Sequence, residues 1–149
     1  MTEGTTKMAG EEATARKPAL WVPSLYVAEG LPFVATMLVS IQMYKSLGLS
    51  DAEIAAFTSL VAWPWSLKPL WSPFMEMFKT KKYFVVATQF IGGLAFACLA
   101  LSLSGDFFVR YSLAFFALIA FTSATHDIAA DGLYIESLSS EFQAKFVGW

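Results

Sequence analysis

The chain has 149 residues, of which 56% are apolar and 15% are charged, and its formal net charge is −2. Soluble domains carry roughly 25% charged residues, so this composition indicates a membrane protein. The nearly balanced charge excludes a basic surface for nucleic acid, and a single cysteine, Cys98, excludes a disulfide framework and a thiolate metal site.

The first segment, residues 1–18, is polar and turn-rich, and we expect a flexible cytoplasmic tail. The apolar segments after it are long enough to cross a hydrocarbon core, which takes about 20 helical residues. We predict four transmembrane helices, at about residues 19–43, 54–74, 83–103 and 107–137, and the start of a fifth at about residue 143. Sustained period-2 alternation is absent from the sequence, which disfavours a transmembrane barrel. The predicted fold is an all-α polytopic bundle over residues 19–149.

Basic residues in the short connections predict the orientation. Six lie before the first span or between the second and third: Lys7, Arg16, Lys17, Lys79, Lys81 and Lys82. Only Lys45 and Arg110 lie on the opposite side. Because short cytoplasmic segments are enriched in Lys and Arg, the amino terminus is predicted to be cytoplasmic.

The first predicted span contains a carboxylate, Glu29, in the stretch "YVAEGLP". Its position ten residues into the span corresponds to about 15 Å of helix. Pro32 removes a helical hydrogen bond and Gly30 loosens the backbone, so we predict a bend beside the carboxylate. Intramembrane charges usually face a bundle interior or a wet cavity. Glu29 is therefore a candidate for binding a proton or solute, or else for a hydrogen bond to a neighbouring helix.

The second predicted span contains Lys68 in the proline- and tryptophan-rich stretch "WPWSLKPLWSP", which predicts a broken helix. A cation among aromatic rings can bind part of a solute in a cavity. Alternatively, the Lys68 side chain extends to the inner membrane surface while the tryptophans lie at the interface.

The inward connection after this span predicts a gate of exposed charges. Glu76, Lys81 and Lys82 lie on or next to this connection, and Asp131 and Glu136 lie near the inner end of the fourth span. We expect these side chains to form a network of ion pairs when a cavity between the helices is closed on the cytoplasmic side.

The fourth predicted span ends in "FTSATHDIAADGLY". Asp127 and Asp131 are four residues apart and share one helix face, whereas His126 is rotated by about 100° from Asp127. Asp127 is predicted at a depth similar to that of Glu29. Two carboxylates with different partners can differ in proton affinity, which is the chemistry that proton coupling needs. Asp131 either joins it or pairs with Lys81 or Lys82 near the interface. His126 is either a proton relay or a hydrogen-bonded packing residue, and no metal site is predicted because adjacent helical residues point apart.

Three stretches, "YVAEGLP", "LKPLWSPFMEMFKTKKYFVVATQ" and "ATHDIAADGLY", resemble in order and spacing the AmpG-type muropeptide permeases of the major facilitator superfamily, and the related acetyl-CoA transporters. Glu76 occupies the acidic position of the inner-loop pattern and Lys81 and Lys82 the basic ones. The chain departs from the usual pattern at Pro73, where Gly is common, and at His126, where the fourth span usually has Gln.

The resemblance implies a twelve-helix transporter in two halves, of which this chain is most of the first, so that the carboxyl-terminal helices are missing. It implies that Glu29 and Asp127 face one central path, and that protons drive muropeptide import across a bacterial inner membrane. It implies no cofactor. Two other functions remain open from the residues alone: an intramembrane enzyme using His126, Asp127 and Asp131, and a small helical membrane scaffold.

Overall fold

The computed structural model describes residues 18–77, 80–105 and 107–147, and every regular element within them is a helix. The predicted tail, apart from residue 18, and Lys79 lie outside the described residues. The helices are α1 (Pro18–Ser46), α2 (Asp51–Leu67), α3 (Ser72–Glu76), α4 (Lys81–Ser102), α5 (Phe108–Ser137) and α6 (Ser140–Phe146). The prediction of an all-helical fold is confirmed for the described part of the chain.

Three of these helices, α1, α4 and α5, are long and apolar enough to cross a membrane. The segment predicted as the second span is divided: α2 ends at Leu67, a 3₁₀ turn follows at Lys68–Leu70, and α3 is a separate short helix. Pro69 and Pro73 lack the N–H that would continue the helical hydrogen-bond ladder. Four complete spans and a fifth beginning near residue 143 therefore remain a prediction.

Helix α1 is continuous but irregular. It consists of Pro18–Val34, a π-helical turn at Ala35–Val39 and Ser40–Ser46. The helix passes through Pro32, and its departure from α geometry begins three residues later rather than at Gly30. π-helical turns inside α-helices are often found at functional sites. The turn begins six residues after Glu29 on the same helix.

Local signals explain the connection between α1 and α2. Gly48 has φ of 83°, a left-handed conformation that favours glycine and ends α1. Ser50 then caps α2: its hydroxyl accepts from the backbone N–H of Glu53, and its own N–H donates to the Glu53 carboxylate. Hydrogen bonds from Ser50 lower the pKa of the exposed Glu53 carboxyl.

Helix α5 is the centre of the bundle. It packs most extensively on α4 and also contacts α2 and α1. Gly92 is buried where α4 packs on α5, and a Cβ at this position would lie 3.4 Å from the Thr122 hydroxyl oxygen. Small residues at such positions allow helices to pack closely.

Two apolar clusters stabilise opposite ends of the bundle. The distal cluster, near the α1–α2 connection, contains Tyr44, Ile54, Val61, Ala95, Leu99, Phe116, Ile119 and Ala120. Its polar contact is a buried 3.0 Å hydrogen bond between the Tyr44 and Ser112 hydroxyls. The proximal cluster, near the start of α1, contains Leu25, Met75, Val85, Ala129 and Ala130. Charged side chains from α1, α5 and the 3₁₀ turn after α2 meet between these clusters.

Candidate functional site

A cavity of about 280 Å³ lies between α1, the end of α2 and α5. The residues that line it are Glu29, Gly30, Phe33, Trp65, Lys68, Ser123 and Asp127. We call it the central cavity. Three of the five residues predicted for a proton or solute site, Glu29, Lys68 and Asp127, are thus brought together from three separate segments.

Lys68 forms an ion pair with Asp127 across the cavity wall. The side chains are 26% and 24% exposed, so neither charge is fully enclosed. The 3₁₀ turn that follows α2 places Lys68 beside the middle of α5. The interpretation that Lys68 extends to the membrane surface is wrong, since its ammonium group turns inward to a carboxylate.

Glu29 is the second carboxylate at this site. Its carboxyl group faces the same cavity as Asp127 and Lys68. One of its oxygens, Oε2, is enclosed and has no hydrogen-bond partner among the described residues. Two carboxylates and one ammonium group therefore share the cavity.

Asp131 lies one helical turn beyond Asp127 and does not line the cavity. It accepts a 3.1 Å hydrogen bond from the Tyr26 hydroxyl on α1. The Tyr26 ring also makes an edge-to-face contact with Tyr134, with centroids 5.9 Å apart. The alternative pairing of Asp131 with Lys81 or Lys82 is not found in the described structure. Asp131 instead joins the proximal end of α5 to α1.

His126 faces away from the cavity. Its side chain is 3% exposed, and Nε2 lies 3.1 Å from the Gln89 side-chain nitrogen on α4. This geometry agrees with the packing interpretation, because Asp127 and His126 are directed to different neighbours. Within the described ranges, no three His, Cys, Asp or Glu side chains are grouped as they would be to hold a metal ion.

The residues predicted to form a gate differ in how deeply they are buried. Lys81 is 3% exposed, lies 2.9 Å from the Glu76 carboxylate and donates a 3.2 Å hydrogen bond to the Met75 carbonyl oxygen. Its methylene groups pack against Gly132: a Cβ added at Gly132 would lie only 3.2 Å from the Lys81 Cδ and Cε atoms. In contrast, Lys82 and Glu136 are exposed, and no ion pair links them to Lys81, Glu76 or Asp131 in the described part of the chain. Of the network predicted among these residues, the described part of the chain contains one ion pair, Lys81–Glu76.

Some contacts of the site were not predicted. Phe33 and Trp65 form an edge-to-face pair with centroids 5.2 Å apart and planes at 90°. Phe33 lies four residues after Glu29, so helical periodicity placed it on the same face. Trp65 was part of the tryptophan-rich stretch, but its contact with α1 depends on tertiary packing. Nothing in the local sequence indicated the Gln89–His126 contact.

Two curated yeast proteins are similar to this chain. One, an uncharacterised protein of Schizosaccharomyces pombe, is 28% identical in a 127-residue alignment, and the match covers 78% of this chain and 24% of the relative. The other, an uncharacterised membrane protein of Saccharomyces cerevisiae, is 29% identical in a 147-residue alignment, and the match covers 78% of this chain and 26% of the relative. The chain thus spans about a quarter of the length of these curated relatives.

Solved structures gave no significant match to this chain. The profile of the BT1 family, in contrast, matches residues 27–146, which include every residue of the central cavity. Together with three helices of membrane-spanning length, this match supports an integral membrane protein. The chain belongs to the BT1 family.

Proposed function

We propose that this chain is part of a longer proton-coupled secondary transporter and that the central cavity is part of its transport path. Two observations support this proposal: the chain belongs to a transporter family, and it covers only about a quarter of each of its yeast relatives. The resemblance noted in the sequence makes cell-wall-derived muropeptides the solute class to test first. The basic residues of the connections support a cytoplasmic amino terminus.

The observation that carries the proposal is the excess of carboxylates at the cavity. Asp127 has the Lys68 ammonium group as its partner, whereas Glu29 has an enclosed oxygen without a partner among the described residues. Carboxylates this close repel each other unless a proton or cation intervenes. A proton can bind the enclosed Glu29 oxygen, which has no other partner among the described residues.

Glu29 is therefore proposed to bind the transported proton, while Lys68 holds Asp127 ionised. Protonation of Glu29 removes the repulsion from Asp127 and lets α1 and α5 approach. Loss of that proton restores the repulsion and favours separation of the two helices. A rocking movement of helices around a fixed central site is the general mode of secondary transport.

The proposal is tested by solute uptake into vesicles that contain the longer protein, under an imposed pH gradient. We expect Glu29→Gln to reduce gradient-driven accumulation at least about tenfold, a size typical of coupling between two binding sites. Solute exchange without a gradient should persist, because glutamine keeps the shape of the side chain. The matched control is Glu136→Gln, which alters an exposed carboxylate outside the cavity.

Equal accumulation by Glu29→Gln and the unmodified protein would refute proton binding at Glu29. Loss of both accumulation and exchange would also contradict it, since this result would assign Glu29 to solute binding or to folding.

A further inference from the structure

The charges at the wall of the central cavity limit the kind of solute that can bind there. Lys68 and Asp127 present one cation and one anion side by side, and each side chain is about a quarter exposed. With the proposed proton on Glu29, the charges of these three groups sum to zero. A neutral pair of opposite charges offers complementary partners to a solute that itself carries both charges.

A solute with one charge is poorly matched to this arrangement. An anion that binds the Lys68 ammonium group draws it away from Asp127 and leaves that carboxylate without a cation. An organic cation that binds Asp127 displaces Lys68 in the same way. Breaking a half-buried pair by removing one partner is costly because the other charge remains desolvated. A zwitterion replaces both contacts at once.

Two aromatic side chains form another part of the wall. Phe33 and Trp65 lie edge to face on α1 and α2 and line the same cavity as the ion pair. Aromatic side chains bury large apolar areas and favour further edge-to-face contacts with rings. The volume of about 280 Å³ is just below the usual range for ligand cavities, which begins at about 300 Å³. It suits a small molecule or one end of a larger solute.

We propose that the central cavity binds a zwitterionic group of the α-amino-carboxylate type, with an apolar side chain against Phe33 and Trp65. The solute's ammonium group binds the Asp127 carboxylate, and its carboxylate binds the Lys68 ammonium group. This inference rests on the proposed function, which makes the cavity part of a transport path. It adds the charge type of the solute.

The experiment uses three probes that share a phenyl ring and a short chain: L-phenylalanine, phenethylamine and 3-phenylpropanoate. They are a zwitterion, a cation and an anion near neutral pH. Binding to the purified longer protein is measured without a pH gradient. We expect phenylalanine to bind at least about tenfold more tightly than either singly charged probe, since only it satisfies both charges.

Two single variants separate the two contacts. Lys68→Met should remove the advantage of phenylalanine over phenethylamine, and Asp127→Asn should remove its advantage over 3-phenylpropanoate. Lys82→Met changes an exposed lysine and should leave the order of affinities unchanged. If a single variant fails to fold, the double variant Lys68→Asp with Asp127→Lys preserves the pair and should preserve the preference for phenylalanine.

Equal affinity for the three probes, tighter binding of either singly charged probe or no binding of any of them would overturn the inference. Its failure is distinguishable from failure of the proposed function, because the order of affinities is measured without a gradient. Gradient-driven accumulation that depends on Glu29 can hold while the zwitterion preference fails, and the reverse also applies.

Discussion

Two lysine–carboxylate pairs in this bundle differ in which partner is enclosed. In the Lys68–Asp127 pair both side chains are about a quarter exposed and face the central cavity. In the Lys81–Glu76 pair the lysine is 3% exposed and the carboxylate is 64% exposed. The first pair is open to a small ligand on both partners, whereas the second holds one charge inside the protein and leaves the other in contact with solvent.

The surroundings of the ammonium groups explain this difference. Lys81 also donates to the Met75 carbonyl oxygen, and its methylene groups pack against Gly132, so several contacts fix it besides the carboxylate. Lys68 lies on a 3₁₀ turn beside a cavity and has Asp127 as its ion-pair partner. The presence of an ion pair therefore does not by itself show what the pair does. The Lys81–Glu76 pair joins α3, α4 and α5, whereas the Lys68–Asp127 pair is suited to binding a ligand.

The largest effect on stability is expected for Lys81→Ala. It removes the buried methylene groups and two charge-assisted contacts, which together contribute about 2–3 kcal/mol to the free energy of unfolding. Thermal unfolding in detergent is the measurement. Lys82→Ala is the matched control, because it is the neighbouring lysine and is exposed. An equal fall in both variants would remove the distinction between enclosed and open pairs.

A smaller effect is expected for Gly132→Ala, which should be about 1 kcal/mol less stable than the same change at a glycine with free space around it. The new Cβ would lie 3.2 Å from the Lys81 Cδ and Cε atoms, so the lysine must shift, and this cost offsets what alanine gains over glycine in a helix. The control is Gly93→Ala on α4, where an added Cβ meets nothing within 4 Å. Alanine is a better helix former than glycine, so the control should unfold no earlier than the parent. If Gly132→Ala is as stable as Gly93→Ala, the tight packing of Lys81 against α5 is refuted.

The smallest effect on stability is expected at Glu53, because its contact with Ser50 is fully exposed, unlike the two lysine–carboxylate pairs. Since hydrogen bonds from Ser50 lower the pKa of this carboxyl, its contribution to stability is present above the ordinary glutamate pKa of about 4.3. The contribution is lost as pH falls through the lowered pKa. Thermal unfolding of Glu53→Gln should therefore depend slightly less on pH in the acidic range. An identical dependence in parent and variant would exclude this contact as a source of stability.

Sequence reasoning predicted the helical class because long apolar segments allow few alternatives in a membrane. It also selected Glu29 and Asp127, since carboxylates inside apolar segments are costly and uncommon. It did not fix the direction of Lys68, because a long lysine side chain can reach either the interface or the interior. The basic residues after α3 predicted the orientation and a gate, but not which lysine would be enclosed. Lys81 packs against Gly132 from a distant helix, whereas Lys82 is exposed.

The break after Leu67 shows a second limit of sequence reasoning. The prolines around Lys68 predicted an interrupted helix, but they did not specify that the 3₁₀ turn would bring the lysine to Asp127. His126 was also ambiguous because its partner, Gln89, lies 37 residues earlier in the chain. Contacts between distant segments decided both cases.

The central claim is that charges from three segments face a water-filled cavity, and thiol labelling tests it most directly. Gly30→Cys and Gly93→Cys are compared after Cys98→Ser, because an added Cβ at either glycine meets nothing within 4 Å. Gly30 lines the cavity, whereas Gly93 is exposed on the membrane-spanning helix α4. With a water-soluble maleimide, we expect labelling at position 30 and little at position 93. Labelling at position 93 that equals or exceeds labelling at position 30 would contradict a water-filled cavity at Glu29, Lys68 and Asp127.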